Sequence, residues 1–91
     1  MASVVVTLKI MPSGTSSDLR AIEKNAVSMI ADFGGKVGKV EIVPVAFGLN
    51  SVNIMFVMDE SKGSTEELES RIAQMEDVNS VDVIDVRRTI G

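Results

Sequence analysis

The chain has 91 residues, 45% hydrophobic and 24% charged, the proportions of one soluble domain over residues 1–91 with enough apolar side chains for a two-layer core. It contains no cysteine and no histidine, which excludes disulfides, thiolate metal sites, thiol nucleophiles and imidazole acids, bases or ligands. A formal net charge of -4 argues against direct binding to nucleic acid or to an anionic membrane, and no apolar run approaches a membrane span or follows the positive charge of a signal peptide, so the expected location is the cytoplasm.

Residues 3–11 place Val4, Val6, Leu8 and Ile10 at a period of two against Val5, Thr7, Lys9 and Met11, which predicts a first strand. Pro12, Ser13 and Gly14 break it, and Thr15, Ser16 and Ser17 offer cap oxygens to a helix. In that helix Leu19, Ile22, Ala26, Met29, Ile30 and Phe33 recur at steps of three and four, and Gly34-Gly35 closes it. A second strand starts at Lys36, with Val40 and Ile42 alternating against Lys39 and Glu41. Pro44 lacks a backbone donor and marks an edge or a strand end, and the strand is read as an edge strand. After a break over Val45-Ala46-Phe47-Gly48, residues 49–58 form a strand apolar on both faces, as a central strand should be. Asp59 to Gly63 reads as a turn, and Ser64 with Glu67 has the spacing of a capping box before a shorter helix with Leu68, Ile72 and Met75 on its apolar stripe. The last strand, residues 78–86, carries Val81 and Val83 in one phase and Ile84 and Val86 in another. A tail, Arg87-Arg88-Thr89-Ile90-Gly91, follows.

The order β-α-β-β-α-β, two similar halves joined near Phe47 and Gly48, predicts an α+β ferredoxin-like sandwich: a four-stranded antiparallel sheet with two helices on one face. Its other face would present Val5, Met11, Val43, Met55 and Val57. So apolar a surface points to a partner or to weak self-association, or else to scattered exposed aliphatics of no consequence.

Because this fold hosts unrelated activities, the residues must decide between them. The first turn has no Cys-x-x-Cys for copper and no arginine for an acylphosphatase-like phosphate cradle, and the chain has no histidine for nucleoside diphosphate kinase-like chemistry. An RNA-recognition sheet stacks bases on aromatics, and the first and third strands offer only Phe56, which is in phase with the core. The pairs Asp59-Glu60 and Glu76-Asp77 flank turns, where solvated charge explains them better than a metal or a catalytic dyad. No catalytic, cofactor or metal residues are predicted, and the chain is not expected to be an enzyme.

Two segments carry a family resemblance: Pro44-Val45-Ala46-Phe47-Gly48-Leu49 at the middle turn and Val81-Asp82-Val83-Ile84-Asp85-Val86-Arg87-Arg88 at the end. With Lys9-Ile10-Met11-Pro12 and Gly63-Ser64-Thr65-Glu66, they resemble the archaeal-type elongation factor 1-beta family over essentially the whole chain. The length matches the bare exchange domain, without the amino-terminal extension of eukaryotic members. The resemblance implies exchange of GDP for GTP on the GTPase that delivers aminoacyl-tRNA, elongation factor 1-alpha. In eukaryotic relatives an aromatic of the middle turn docks on the GTPase's second domain, and a lysine near the carboxyl end reaches the magnesium and phosphate region of its first domain. By position the aromatic is Phe47, beside Gly48, and the lysine falls at Arg88, next to Arg87. On residue type alone, Phe47 also fits a plug at the end of the sandwich, and the two arginines also fit a solvated tail. The strand and helix order is shared by ACT-like modules, which bind small molecules and regulate enzymes, and this is the competing reading.

Overall fold

In the computed structural model, which describes residues 2–90, the alternating opening segment is strand β1 (Ala2–Pro12), and Val6, Leu8 and Ile10 are buried on one side of it. Helix α1 (Leu19–Phe33) follows, and Ile22, Ala26 and Ile30 form its buried stripe. Its cap is Asp18 rather than the hydroxyls before it: Asp18 Oδ1 accepts from the backbone N–H groups of Arg20 and Ala21, at 3.1 and 3.2 Å. A carboxylate brings negative charge to the positive end of the helix as well as an acceptor. Ser17 turns back instead to accept from the Gly14 N–H at 3.2 Å. At the other end Gly34 takes φ 105, where its N–H bonds back to Ile30 and Ala31.

Strand β2 (Lys36–Ala46) reaches two residues beyond Pro44, so the predicted break narrows to Phe47 and Gly48. Strand β3 (Leu49–Asp59) leads into a 3-10 turn (Glu60–Lys62), then helix α2 (Glu66–Ala73), then strand β4 (Val78–Ile90). The capping box at α2 does not form. Thr65 occupies the cap position and its hydroxyl donates to Glu69 Oε2 at 2.7 Å, while Ser64 Oγ accepts from the Glu66 N–H at 3.0 Å. Leu68 and Ile72 are buried as expected, and Met75 packs on the core just past the helix end.

The sheet is antiparallel with order β2-β3-β1-β4, so β3 is central and β2 is an edge, as the sequence indicates. Both helices cover one face. The core joins Val6, Leu8, Ile10, Val52, Ile54, Phe56 and Met58 of the sheet to Ile22, Ala26, Ile30, Leu68 and Ile72 of the helices. The opposite, open face carries Val5, Thr7, Lys9 and Met11 beside Val57, Met55 and Asn53. Among the described residues, the one fully buried polar side chain lies there: Ser51 Oγ donates to Asn53 Oδ1 at 2.8 Å. Ile42, though in phase with the core, is 46% exposed because it lies at the edge beyond the reach of the helices.

The largest departure from expectation is the carboxyl end. Residues 87–90 are strand, not tail, because β1 begins at Ala2 and offers them ladder partners: Val5 faces Arg87, Val4 faces Arg88 and Ala2 faces Ile90. The Thr89 hydroxyl donates to the Ser3 carbonyl at 3.2 Å and ties the same end. Gly91, the last residue of the expected tail, lies outside the described residues. The two phases of apolar residues in β4 have a structural cause. Thr7 pairs with Asp85 and Leu8 with Val83, so Ile84 is an extra residue, a β-bulge that reverses the alternation after it.

Candidate functional site

Ala46 pairs with Leu49, so Phe47 and Gly48 are the two central residues of a tight hairpin. Both have positive φ, 53 and 77, the pattern of a type I′ turn. Glycine adopts it freely, whereas a bulky side chain there is strained by roughly 1–3 kcal/mol. The ring gains nothing inside the protein for this cost, being 96% exposed. Phe47 is therefore not a plug. Beside it Val45, 44% exposed, and Ile42 continue an apolar strip along the end of β2 that was not singled out in the sequence. The alternation of Ile42 with Lys39 and Glu41 suggests its burial, and the missing helix cover exposes it, whereas Val45 reads as part of the break.

Arg87 and Arg88 are neighbours in a strand, so their side chains leave opposite faces of the sheet. Arg87 lies on the open face, where its Nε donates to Asp85 Oδ2 at 3.0 Å. Arg88 lies on the helix side, level with Val4 and Met58, and its Nη2 pairs with Glu60 Oε1 at 2.5 Å. They do not form one basic cluster. Neither carboxylate was linked to an arginine in the sequence, although Asp85-x-Arg87 has the two-residue spacing that shares a strand face. Glu60 lies 28 residues away in the chain, and only the sheet order brings it near.

On the same face Val4, which pairs with Arg88, joins Val6, Met58 and Val86 in flooring a hollow of about 290 Å³ walled by Gly63 to Glu66. Val86 is 56% exposed there because α2 ends short of the β4 edge. Asp59, next to Glu60, caps the 3-10 turn by accepting from the Ser61 N–H at 2.8 Å, and this hydrogen bond holds its carboxyl below the usual aspartate range. The acidic pair Asp59-Glu60 is thus a turn cap and an arginine partner.

Phe47 and Arg88 occupy opposite ends of the sheet. Between Leu49 and Met58 the chain is extended at about 3.3 Å per residue, which separates the hairpin tip from the Arg88 row by about 30 Å. The molecule's longest extent is 42 Å. Two contacts so far apart on one rigid sheet can engage two separate surfaces of a large partner but cannot line one pocket.

Comparison with known proteins adds an independent line. A family model described as the EF-1 guanine nucleotide exchange domain matches residues 5–89. "Elongation factor 1-beta" of Methanobrevibacter smithii is 40% identical over 88 residues, covering 97% of this chain and 98% of the relative. The protein of the same name from Methanothermobacter thermautotrophicus is 38% identical, with the same coverage. Among solved structures, the ACT domain from GTP pyrophosphokinase of Chlorobium tepidum superposes with a TM-score of 0.62 at 12% identity, covering 90% of this chain and 99% of that one. That likeness shows the ferredoxin-like fold alone and gives the small-molecule reading no support. Among the described residues, no helix is long and apolar enough to cross a membrane.

Proposed function

Because the chain belongs to the EF-1 guanine nucleotide exchange domain family, we propose that it drives exchange of GDP for GTP on elongation factor 1-alpha, the aminoacyl-tRNA-carrying GTPase of translation. The single observation that supports this most directly is Phe47: an aromatic ring held in strained backbone and left in water has a use only against another molecule.

An exchange factor binds the nucleotide-free GTPase more tightly than the nucleotide-bound form, and linkage requires it to weaken nucleotide binding by the same factor. A thousandfold weakening corresponds to about 4 kcal/mol. One docked aromatic supplies about 2 kcal/mol or more of anchoring, and a few charge-assisted contacts can supply the rest. In this reading Phe47 anchors on one domain of the GTPase, with Gly48 allowing the tight turn behind it. Arg88, about 30 Å away by the strand rise, enters the magnesium and phosphate region of another and disturbs the groups that hold GDP. An arginine is suited to this as a permanent cation with a fork that fits phosphate through two bonds. Arg87, on the other face, contributes at most a flanking contact.

Release of a fluorescent GDP from the purified GTPase tests the reading. The parent protein accelerates release, Arg88→Ala slows the accelerated rate at least tenfold, about 1.4 kcal/mol in the barrier, and Arg87→Ala changes it far less. A parent protein that leaves GDP release unchanged would sink the proposal. Equal loss from both arginine variants would return the contact to a general basic surface.

A further inference from the structure

Glu60 has no place in the reading above, yet it holds the residue that the reading depends on. It opens the 3-10 turn after β3 and reaches across the start of β1, which lies between β3 and β4, to meet Arg88 of β4. The contact uses one terminal nitrogen, Nη2, and both side chains are substantially exposed, at 69% for Arg88 and 43% for Glu60. Pairs of this kind are weak and sensitive to salt. A phosphate, by contrast, can take two parallel bonds from a guanidinium and carries more charge.

We propose that Glu60 is a latch: it stores Arg88 over the end of β1 in the free protein and must give it up when Arg88 turns to the anionic groups of the GTPase's nucleotide site. The inference rests on the assignment of Arg88 to that site. Two effects give it a definite sign. The latched arginine must break one bond before it makes another, so only the unlatched fraction is competent. The Glu60 carboxylate, carried towards phosphate beside Arg88, also repels it. Both effects retard the step, so loss of the Glu60 charge quickens it. The geometry speaks against the opposite role, a rigid support that presents Arg88, because a single-nitrogen bond between exposed side chains fixes little.

The test is GDP release from the GTPase at saturating factor, comparing parent, Glu60→Gln, Arg88→Ala and the double variant, with circular dichroism to check that each keeps its sheet. Glu60→Gln keeps the side-chain length and removes the charge. At low salt it should speed release by about two- to fivefold, the range of an exposed ion pair, and the gain should vanish at high salt, where the parent's latch is already loosened. In the Arg88→Ala background Glu60→Gln should change nothing, a non-additivity that a purely structural role for Glu60 would not produce. If Arg88→Ala slows release but Glu60→Gln leaves it unchanged or slower, the latch is wrong and the assignment of Arg88 stands. If Arg88→Ala has no effect, both fall together.

Discussion

In the proposed exchange role, Phe47 sets local stability against function at a single residue. Its left-handed backbone costs of order 1 kcal/mol or more, and its ring leaves apolar surface in water whose burial on a partner is worth about 2–3 kcal/mol. The balance favours keeping the ring only if a partner covers it. Phe47→Asn makes the comparison sharp, since Asn-Gly is the preferred pair for this hairpin. We expect the variant to be as stable as the parent or up to about 1 kcal/mol more stable, yet to bind the nucleotide-free GTPase more weakly by about 2 kcal/mol or more. Thermal melting and titration calorimetry separate the two quantities. A variant that melts lower and binds unchanged would mean that the ring serves the fold.

Within β4, one extra residue decides which arginine faces which surface. Val81 and Val83 point to the core, and unbroken alternation would send Asp85 and Arg87 after them and turn Val86 and Arg88 outward. The bulge at Ile84 reverses this, placing Val86 and Arg88 on the helix side and letting Asp85 and Arg87 pair on the open face. Deletion of Ile84 therefore tests this register. Removing the extra residue leaves an unbroken ladder in which Thr7 still faces Asp85, Val6 still faces Val86 and Val4 still faces Arg88, so every side chain keeps its face. Urea denaturation should show a midpoint close to the parent's, and Arg88 should keep Glu60. A much lower midpoint with lost exchange activity would show that this register does not direct the arginines.

At the scale of the whole molecule, a single buried layer between sheet and helices holds a body of 42 by 21 by 17 Å. So thin a core tolerates little. Ile30 is fully buried on α1, beside the α1 end that Gly34 closes, and Ile30→Asp would bury an unpaired charge. That cost is comparable with the entire stability of a domain of this size, so the variant should be unfolded by circular dichroism at room temperature. A folded, soluble variant with parental melting temperature would contradict the packing. In the proposed reading length also matters to function, because the sheet keeps Phe47 and Arg88 at opposite ends, where they would act as separate contacts.

Element order, the edge position of β2, the central position of β3 and nearly all of the core were legible in the chain itself, because periods of two and of three to four report directly which side chains must leave water. Phe47-Gly48 was also visible as a turn, and the family resemblance is what makes it a proposed contact. Caps were read less well: Asp18 and Thr65 displaced the predicted choices, since several neighbouring side chains could supply each oxygen and the path of the loop chooses among them. The fate of the carboxyl end lay beyond the sequence. Whether Arg87 to Ile90 form a tail or a strand depends on free ladder positions at Ala2 to Val5, more than eighty residues away in the chain, and the face each arginine takes depends on where that pairing slips. Exposure of Phe47, Ile42 and Val86 is likewise a property of the assembled layers, set by how far two short helices extend over a longer sheet. Local pattern reports each residue's preference, and only the closed structure determines which preferences can be met together.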